Sequence, residues 1–178
     1  MIESLSEENK KLYHKATILR QQKKFSEAIN IYKTLSESNV NNDIINYYLA
    51  ACFYDIGDHK SSVNPMRLAV NAKPNNVHYR VLFGNYLNNA KNYHEALRQY
   101  DIAINLDPNY YNSYHSANML LFKQNRIDEA VTYGLKVLKI KDKIEGKRFK
   151  EKYKSKYELK KMKNFNLENF FKTKKKKN

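Results

Sequence analysis

Four small residues stand at a constant interval of 34 positions in this chain of 178 residues: Ala28, Ser62, Ala96 and Ala130. A second set keeps the same interval three residues earlier: Phe25, His59, Tyr93 and Ile127. The register continues without an insertion over about residues 9–142. Such a fixed interval predicts a tandem repeat of one structural unit, which constrains the fold more than any other feature of the sequence.

Each unit has the apolar spacing of two helices. In the first unit the apolar residues at intervals of three or four form two sets: Leu12, Ala16 and Leu19, then Ala28, Tyr32 and Leu35. A polar stretch at 21–24 separates the two sets and is long enough for a tight turn. With only four glycines and three prolines, the composition also favours helices over sandwiches, barrels and α/β nucleotide folds.

This pattern resembles the tetratricopeptide repeat (TPR), a family whose units are 34-residue helix pairs. One unit carries the pattern most completely, with Gly84, Tyr93, Ala96, Tyr100, Ala103 and Pro108. The resemblance implies an all-α, right-handed α-solenoid of antiparallel helix pairs. After a lead-in at 1–8, the implied units are 9–42, 43–76, 77–110 and 111–144.

Local signals predict several helix ends. Ser4 and Glu7 have the spacing of a capping box, which would start the first helix early. Asn92 and Glu95 have the same spacing and would cap the second helix of the third unit. Pro65 is expected in about the first turn of its helix, where proline is tolerated, or else at a kink.

The basic charge of the chain is concentrated at its C-terminal end. The chain has 33 Lys or Arg against 18 Asp or Glu, but 15 of the basic residues and only four Glu lie in 143–178. Phe149, Tyr153 and Tyr157 would form one helical stripe, so we expect a capping helix over 143–164 that covers the end of the fourth unit. Residues 165–178 are rich in Lys and are expected to be disordered. The many lysines are also what an AT-rich genome produces.

The sequence contains no constellation typical of catalysis. The five histidines, the scattered carboxylates and the single cysteine, Cys52, form no metal or nucleophile motif, and no glycine-rich phosphate loop is present. We therefore expect no enzyme activity, no metal and no cofactor. The sequence has no apolar run long enough to span a membrane and no signal-peptide pattern at its start, so a cytoplasmic location is expected.

The TPR resemblance implies a concave groove lined by the first helix of each unit. The implied lining residues are Tyr13, Thr17, Arg20, Tyr47, Ala51, Tyr54, His78, Val81, Asn85, Asn88, Asn89, His115, Met119, Phe122 and Lys123. Aromatic rings and amides of this kind suit an extended peptide backbone. The Lys and Arg residues with which some TPR co-chaperones grip acidic chaperone tails are missing from the corresponding positions.

The leading functional hypothesis is a non-enzymatic scaffold or adaptor that binds a peptide or helical segment of a partner protein in this groove. Three alternatives stay open: a bacterial-type chaperone of secreted proteins, a basic tail that contacts nucleic acid or anionic lipid through 143–178, and the repeat region of a split or shortened glycosyltransferase-like enzyme.

Overall fold

The structure is a computed structural model that describes residue 2, residues 5–39 and residues 41–145, with side chains up to residue 140. The chain divides into two units, residues 1–137 and 138–178. Apart from the backbone of residues 143–145, the predicted capping helix at 143–164 lies outside the described residues. The predicted tail at 165–178 lies entirely outside them.

The described residues form eight helices and no strand. The helices are α1 (Glu7–Gln21), α2 (Phe25–Ser38), α3 (Asp43–Asp55), α4 (His59–Ala72), α5 (Val77–Asn89), α6 (Tyr93–Leu106), α7 (Tyr111–Lys123) and α8 (Ile127–Glu145). The predicted all-α chain of helix pairs is confirmed. Each second helix begins at the residue three before the small residue of its unit.

Neighbouring helices pack in chain order. Helices α1 and α2, α3 and α4, and α5 and α6 form hairpins, and α2 packs on α3, α4 on α5 and α6 on α7. The small residues of the repeat are completely buried: Ala28, Ser62, Ala96 and Ala130. Ser62 is tolerated there because its hydroxyl donates to the carbonyl of His59 at 2.8 Å, which satisfies the polar atom.

One close approach within a hairpin joins α5 to α6. The ring of Tyr100, fully buried, lies directly over Gly84, and a Cβ atom added at Gly84 would overlap that ring. The same packing extends on both sides, because Ala50 and Met66 of the previous unit and Ala117 of the next belong to one core cluster with Tyr100. A shared core of this kind is how stacked repeats bury faces that one hairpin would expose.

The turn inside each hairpin contains one residue with positive φ, again at an interval of 34. These residues are Lys23, Gly57, Lys91 and Asn125, with φ of 61°, 81°, 65° and 59°. Glycine adopts this conformation without strain, whereas a lysine there costs about 1–2 kcal/mol. The polar stretch at 21–24 was expected to form a turn, and it does, but neither lysine signals its conformation in the sequence.

Two predicted helix caps are corrected by the structure. Helix α1 is capped by Ser6, whose hydroxyl accepts from the amide of Asn9 at 3.2 Å, and Ser4 lies outside the described residues. Asn92 does precede α6, but its side chain makes no capping hydrogen bond. Glu95 instead accepts hydrogen bonds from the side chains one turn further along α6, so the predicted capping box is not formed.

Pro65 lies in the interior of α4, not in its first turn. It is the seventh residue of a helix that continues from His59 to Ala72, and its ring is buried. Proline lacks an amide hydrogen, so one backbone hydrogen bond of α4 is missing at this point. The prediction of a first-turn position was therefore wrong.

We predict that Gly84→Ala destabilises the protein by about 1–3 kcal/mol, because the added methyl group meets the ring of Tyr100 inside a packed core. Urea unfolding followed by circular dichroism measures this cost. Gly134→Ala is the matched control. Its methyl group would lie 3.1 Å from the amide nitrogen of Asn118, which donates to the Ala130 carbonyl at 2.6 Å, and this tight contact is milder than the overlap at Gly84. Alanine also favours α8. Equal losses in the two variants would contradict the assignment of Gly84 as a packing contact.

Candidate functional site

The predicted groove residues lie on α1, α3, α5 and α7, and we call their shared surface the first-helix face. Most of these side chains are half-buried, while His78, His115, Met119 and Lys123 are exposed. Val81 is an exception, because only 4% of it is exposed and it belongs to the core. It was wrongly expected to line a groove.

Three tyrosines contact one another at the α1 end of the face. The ring centroids of Tyr13, Tyr32 and Tyr48 are separated by 5.9 to 6.3 Å. The Thr17 hydroxyl lies 3.2 Å from that of Tyr32, and the guanidinium carbon of Arg20 lies 4.7 Å from the centre of the Tyr48 ring. These contacts join α1, α2 and α3 into one aromatic cluster, which we call the tyrosine cluster.

Two further tyrosine pairs join α3 to α5. Tyr47 stacks on Tyr79 with a centroid distance of 5.6 Å, and Tyr54 stacks on Tyr86 at 4.7 Å. The amide of Asn89 donates to the Tyr54 hydroxyl at 2.8 Å. Tyr47 and Tyr54 therefore stabilise the contact between neighbouring repeats as well as lining the face. Burial raises the pKa of Tyr79 and of Tyr86, so both rings stay neutral at physiological pH.

The amides of α5 are held by tyrosine hydroxyls. Asn85 accepts a hydrogen bond from the Tyr100 hydroxyl at 2.8 Å through its oxygen, and Asn89 uses its nitrogen on Tyr54. Asn85 therefore keeps its NH₂ donors, and Asn89 keeps its oxygen as an acceptor. Between them, the oxygen of Asn88 is buried without a partner in the described part of the chain. Helix α5 thus offers both donors and acceptors.

Helix α7 contributes a less polar section. Tyr111 and His115 stack at 5.4 Å, and the side chain of Met119 is 50% exposed. Phe122 is half-buried one turn further along. The His78 ring nitrogen lies 3.2 Å from the hydroxyl of Tyr110, just before α7, so a polar contact joins α5 to this end of the face.

Residue types at two positions of the face alternate from one repeat to the next. The two positions are about one helical turn apart: Thr17, Ala51, Asn85 and Met119, then Arg20, Tyr54, Asn88 and Phe122. The first and third repeats are polar at both positions, whereas the second and fourth are apolar or aromatic. The hydroxyl bonds alternate too, because Thr17 with Tyr32 and Asn85 with Tyr100 occupy equivalent places. The face is therefore a series of polar and apolar sections.

A further cavity lies away from the first-helix face. It is shallow, has a volume of about 750 Å³, and lies on α6 and the turns before α6 and α8. Two of its cations, Arg98 and Arg126, are already paired with Glu95 at 2.8 Å and Glu129 at 2.6 Å. No group of three or more His, Cys, Asp or Glu in residues 5–39 and 41–140 could hold a metal ion. Among the described helices, none combines the length and apolar character needed to cross a membrane.

Comparison with known proteins identifies the fold. No family model and no curated protein matches the sequence. Among solved structures, a MamA protein superposes with a TM-score of 0.70 at 18% identity, covering 82% of this chain and 76% of that one. MamA from Desulfovibrio magneticus RS-1 gives 0.69 at 16% identity, covering 76% of each chain. YrrB, described as a TPR protein with an unusual peptide-binding site, gives 0.68 at 19%, covering 74% of this chain and 68% of that one. The fold is therefore the TPR solenoid predicted from the 34-residue interval.

The sequence did not predict the tyrosines that hold the face together. Tyr48, Tyr79 and Tyr86 were absent from the expected lining, because the TPR resemblance marks lining positions but not contacts between neighbouring first helices. The spacing of the tyrosines in the sequence did indicate such contacts. Of the 15 tyrosines in the chain, several are adjacent or 32 positions apart. The pairs Tyr47–Tyr79 and Tyr54–Tyr86 both have this second spacing.

We predict that Tyr54→Phe lowers the free energy of unfolding by about 1 kcal/mol, because the Asn89 amide loses its acceptor while the stacked ring remains. Tyr93→Phe is the control, since the Tyr93 hydroxyl makes no hydrogen bond within the described residues, and its cost should be close to zero. Urea unfolding compares the two. Similar values would mean that the Asn89 bond adds nothing to stability.

Proposed function

We propose that this protein is a non-enzymatic interaction scaffold that binds an extended peptide segment of a partner protein along the first-helix face. No step of the proposed function requires a cofactor or a covalent reaction. We place the function in the cytoplasm. The proposed binding surface lies on α1, α3, α5 and α7. Binding of nucleic acid or anionic lipid by the basic segment 143–178 is a separate prediction.

The observation that carries the proposal is the arrangement of amides on α5. An extended peptide presents carbonyl oxygens and amide hydrogens in alternation along each edge. Asn85 has free donors for a carbonyl, and Asn89, one helical turn away, has a free acceptor for an amide hydrogen. Because tyrosine hydroxyls fix the other end of each amide, neither has to reorganise when a ligand binds, which favours affinity.

The apolar sections on either side complete the proposed site. The ring of Tyr54 lies before the α5 amides and the exposed Met119 after them, so side chains of a bound peptide would meet apolar surface in neighbouring repeats. Aromatic and Met side chains are common anchors of this kind. The YrrB structure, whose description mentions a peptide-binding site on a TPR fold, supports the proposal by analogy.

Asn85→Asp tests the proposal directly. The carboxylate still accepts the bond from the Tyr100 hydroxyl, so the fold is retained, but the donors that would bind a peptide carbonyl are lost. We expect peptides selected from a phage-displayed random library on the wild-type full chain to bind this variant about tenfold more weakly or worse. Fluorescence anisotropy with labelled synthetic peptides measures the affinity.

Asn30→Asp is the matched control, because it adds the same charge at an exposed position of α2. It should bind the selected peptides as the wild type does. If the wild-type chain enriches no peptide, or if both variants bind equally well, the first-helix face is not the binding site.

A further inference from the structure

We propose that Arg20 is an anion seat at the α1 end of the first-helix face, which binds a carboxylate side chain of the peptide. The inference rests on the proposed function and makes it more specific, since it assigns the partner segment an acidic residue at one end. The seat consists of Arg20 and the tyrosine cluster formed by Tyr13, Tyr32 and Tyr48.

Arg20 is the arginine that the described structure leaves without a hydrogen bond. Of the other described arginines, Arg67 bonds Asn64, Arg80 bonds Gln99, and Arg98 and Arg126 each form a two-bond pair with a glutamate. Arg20 makes neither a hydrogen bond nor an ion pair within the described residues, and its Nε atom is buried without a partner. A guanidinium without hydrogen-bond partners gains more binding free energy from an added acceptor than a guanidinium that is already paired.

The surroundings of Arg20 leave its charge uncompensated. The guanidinium lies against the Tyr48 ring at 4.7 Å, which fixes its position. Burial raises the pKa of Tyr32 to about 12 and, together with the neighbouring Tyr48, raises that of Tyr13, so these hydroxyls carry no charge at physiological pH. Arg20 and Asp55 both affect the pKa of the Cys52 thiol, so the Asp55 carboxylate lies in the same neighbourhood. Asp55 is exposed, however, and forms no ion pair within the described residues.

The contact between Arg20 and the tyrosine cluster also favours a negatively charged ligand. Three rings in mutual contact could hold a cation in other proteins, but here Arg20 already occupies the position over Tyr48. A second cation would be repelled, whereas a carboxylate would meet a positioned guanidinium in partly water-excluded surroundings, where charge-assisted hydrogen bonds are strong. The side chain is half-buried, and Nε is its one fully buried nitrogen, so a carboxylate would reach the terminal nitrogens of the guanidinium.

The test is a selection of phage-displayed random dodecapeptides on three full-length proteins: wild type, Arg20→Gln and Arg67→Gln. Arg67→Gln removes the same charge from an exposed position on α4, where the side chain bonds only Asn64. About 0.3 M salt shortens the Debye length to roughly 6 Å and so weakens unspecific attraction to the lysines of 143–178. We expect Asp or Glu at one recurring position in peptides from the wild type and from Arg67→Gln, and no such preference with Arg20→Gln.

Two measurements keep the outcome clear. An isolated acidic peptide and its Asn or Gln counterpart should differ by about tenfold in affinity for the wild type and should bind Arg20→Gln equally well. If Arg20→Gln does not fold, the Nε–H resonance of Arg20 in the wild type should shift with the acidic peptide and not with its amide counterpart.

The possible failures are distinguishable. An acidic preference that survives in Arg20→Gln, or a resonance that responds equally to both peptides, would overturn the anion seat. If peptides selected on the wild type need Asn85 for binding but show no preference for an acidic residue, the anion seat is overturned and the proposed function is retained. A wild type that enriches no peptide would overturn both.

Discussion

The close approach of two helices at one small residue per repeat determines most of this structure. The buried side chain at this point is always alanine or serine, so the two helices of a repeat lie close together. In the first and third repeats the residue one turn later is a tyrosine, whose ring enters the hairpin. In the third repeat that tyrosine, Tyr100, lies over Gly84, and its hydroxyl reaches Asn85 on the first-helix face. In the first repeat Tyr32 reaches Thr17 in the same way. The residues that pack the core therefore also orient polar groups on the surface.

The fold could be predicted from sequence because the repeat supplies the same information four times. The interval of 34, the helical spacing within each unit and the scarcity of glycine and proline all indicate helix pairs, and the start of each second helix follows from them. Features that occur once were less predictable. Ser4 and Ser6 are both able to cap a helix, and only the path of the chain decides between them. The lysines at 23 and 91 adopt positive φ because the turn demands it, and not because of their own preference.

The candidate site could be predicted only as a set of positions. The TPR resemblance marks which residues of a first helix are expected to line a groove, and the Lys and Arg residues of a carboxylate grip are missing from the corresponding positions. It does not indicate which end of an asparagine amide is free, because that depends on a tyrosine hydroxyl 15 positions away, or 35 positions away for Asn89. Nor does it reveal that Arg20 has no hydrogen-bond partner in the described structure, whereas Arg80 on α5 has one.

The alternation of polar and apolar repeats has a consequence for the alignment of any ligand. At the positions of Thr17 and Arg20 the first two repeats resemble the last two, so a peptide shifted by one repeat pair would meet similar groups there. Such a surface would permit two competing registers of similar energy. In the proposed binding mode, the exchange of Asn88 in the third repeat for Arg20 in the first would remove this ambiguity, because only one register would bring a negative charge to the guanidinium. A single charge at one repeat position would then be enough to give the bound segment a defined starting point.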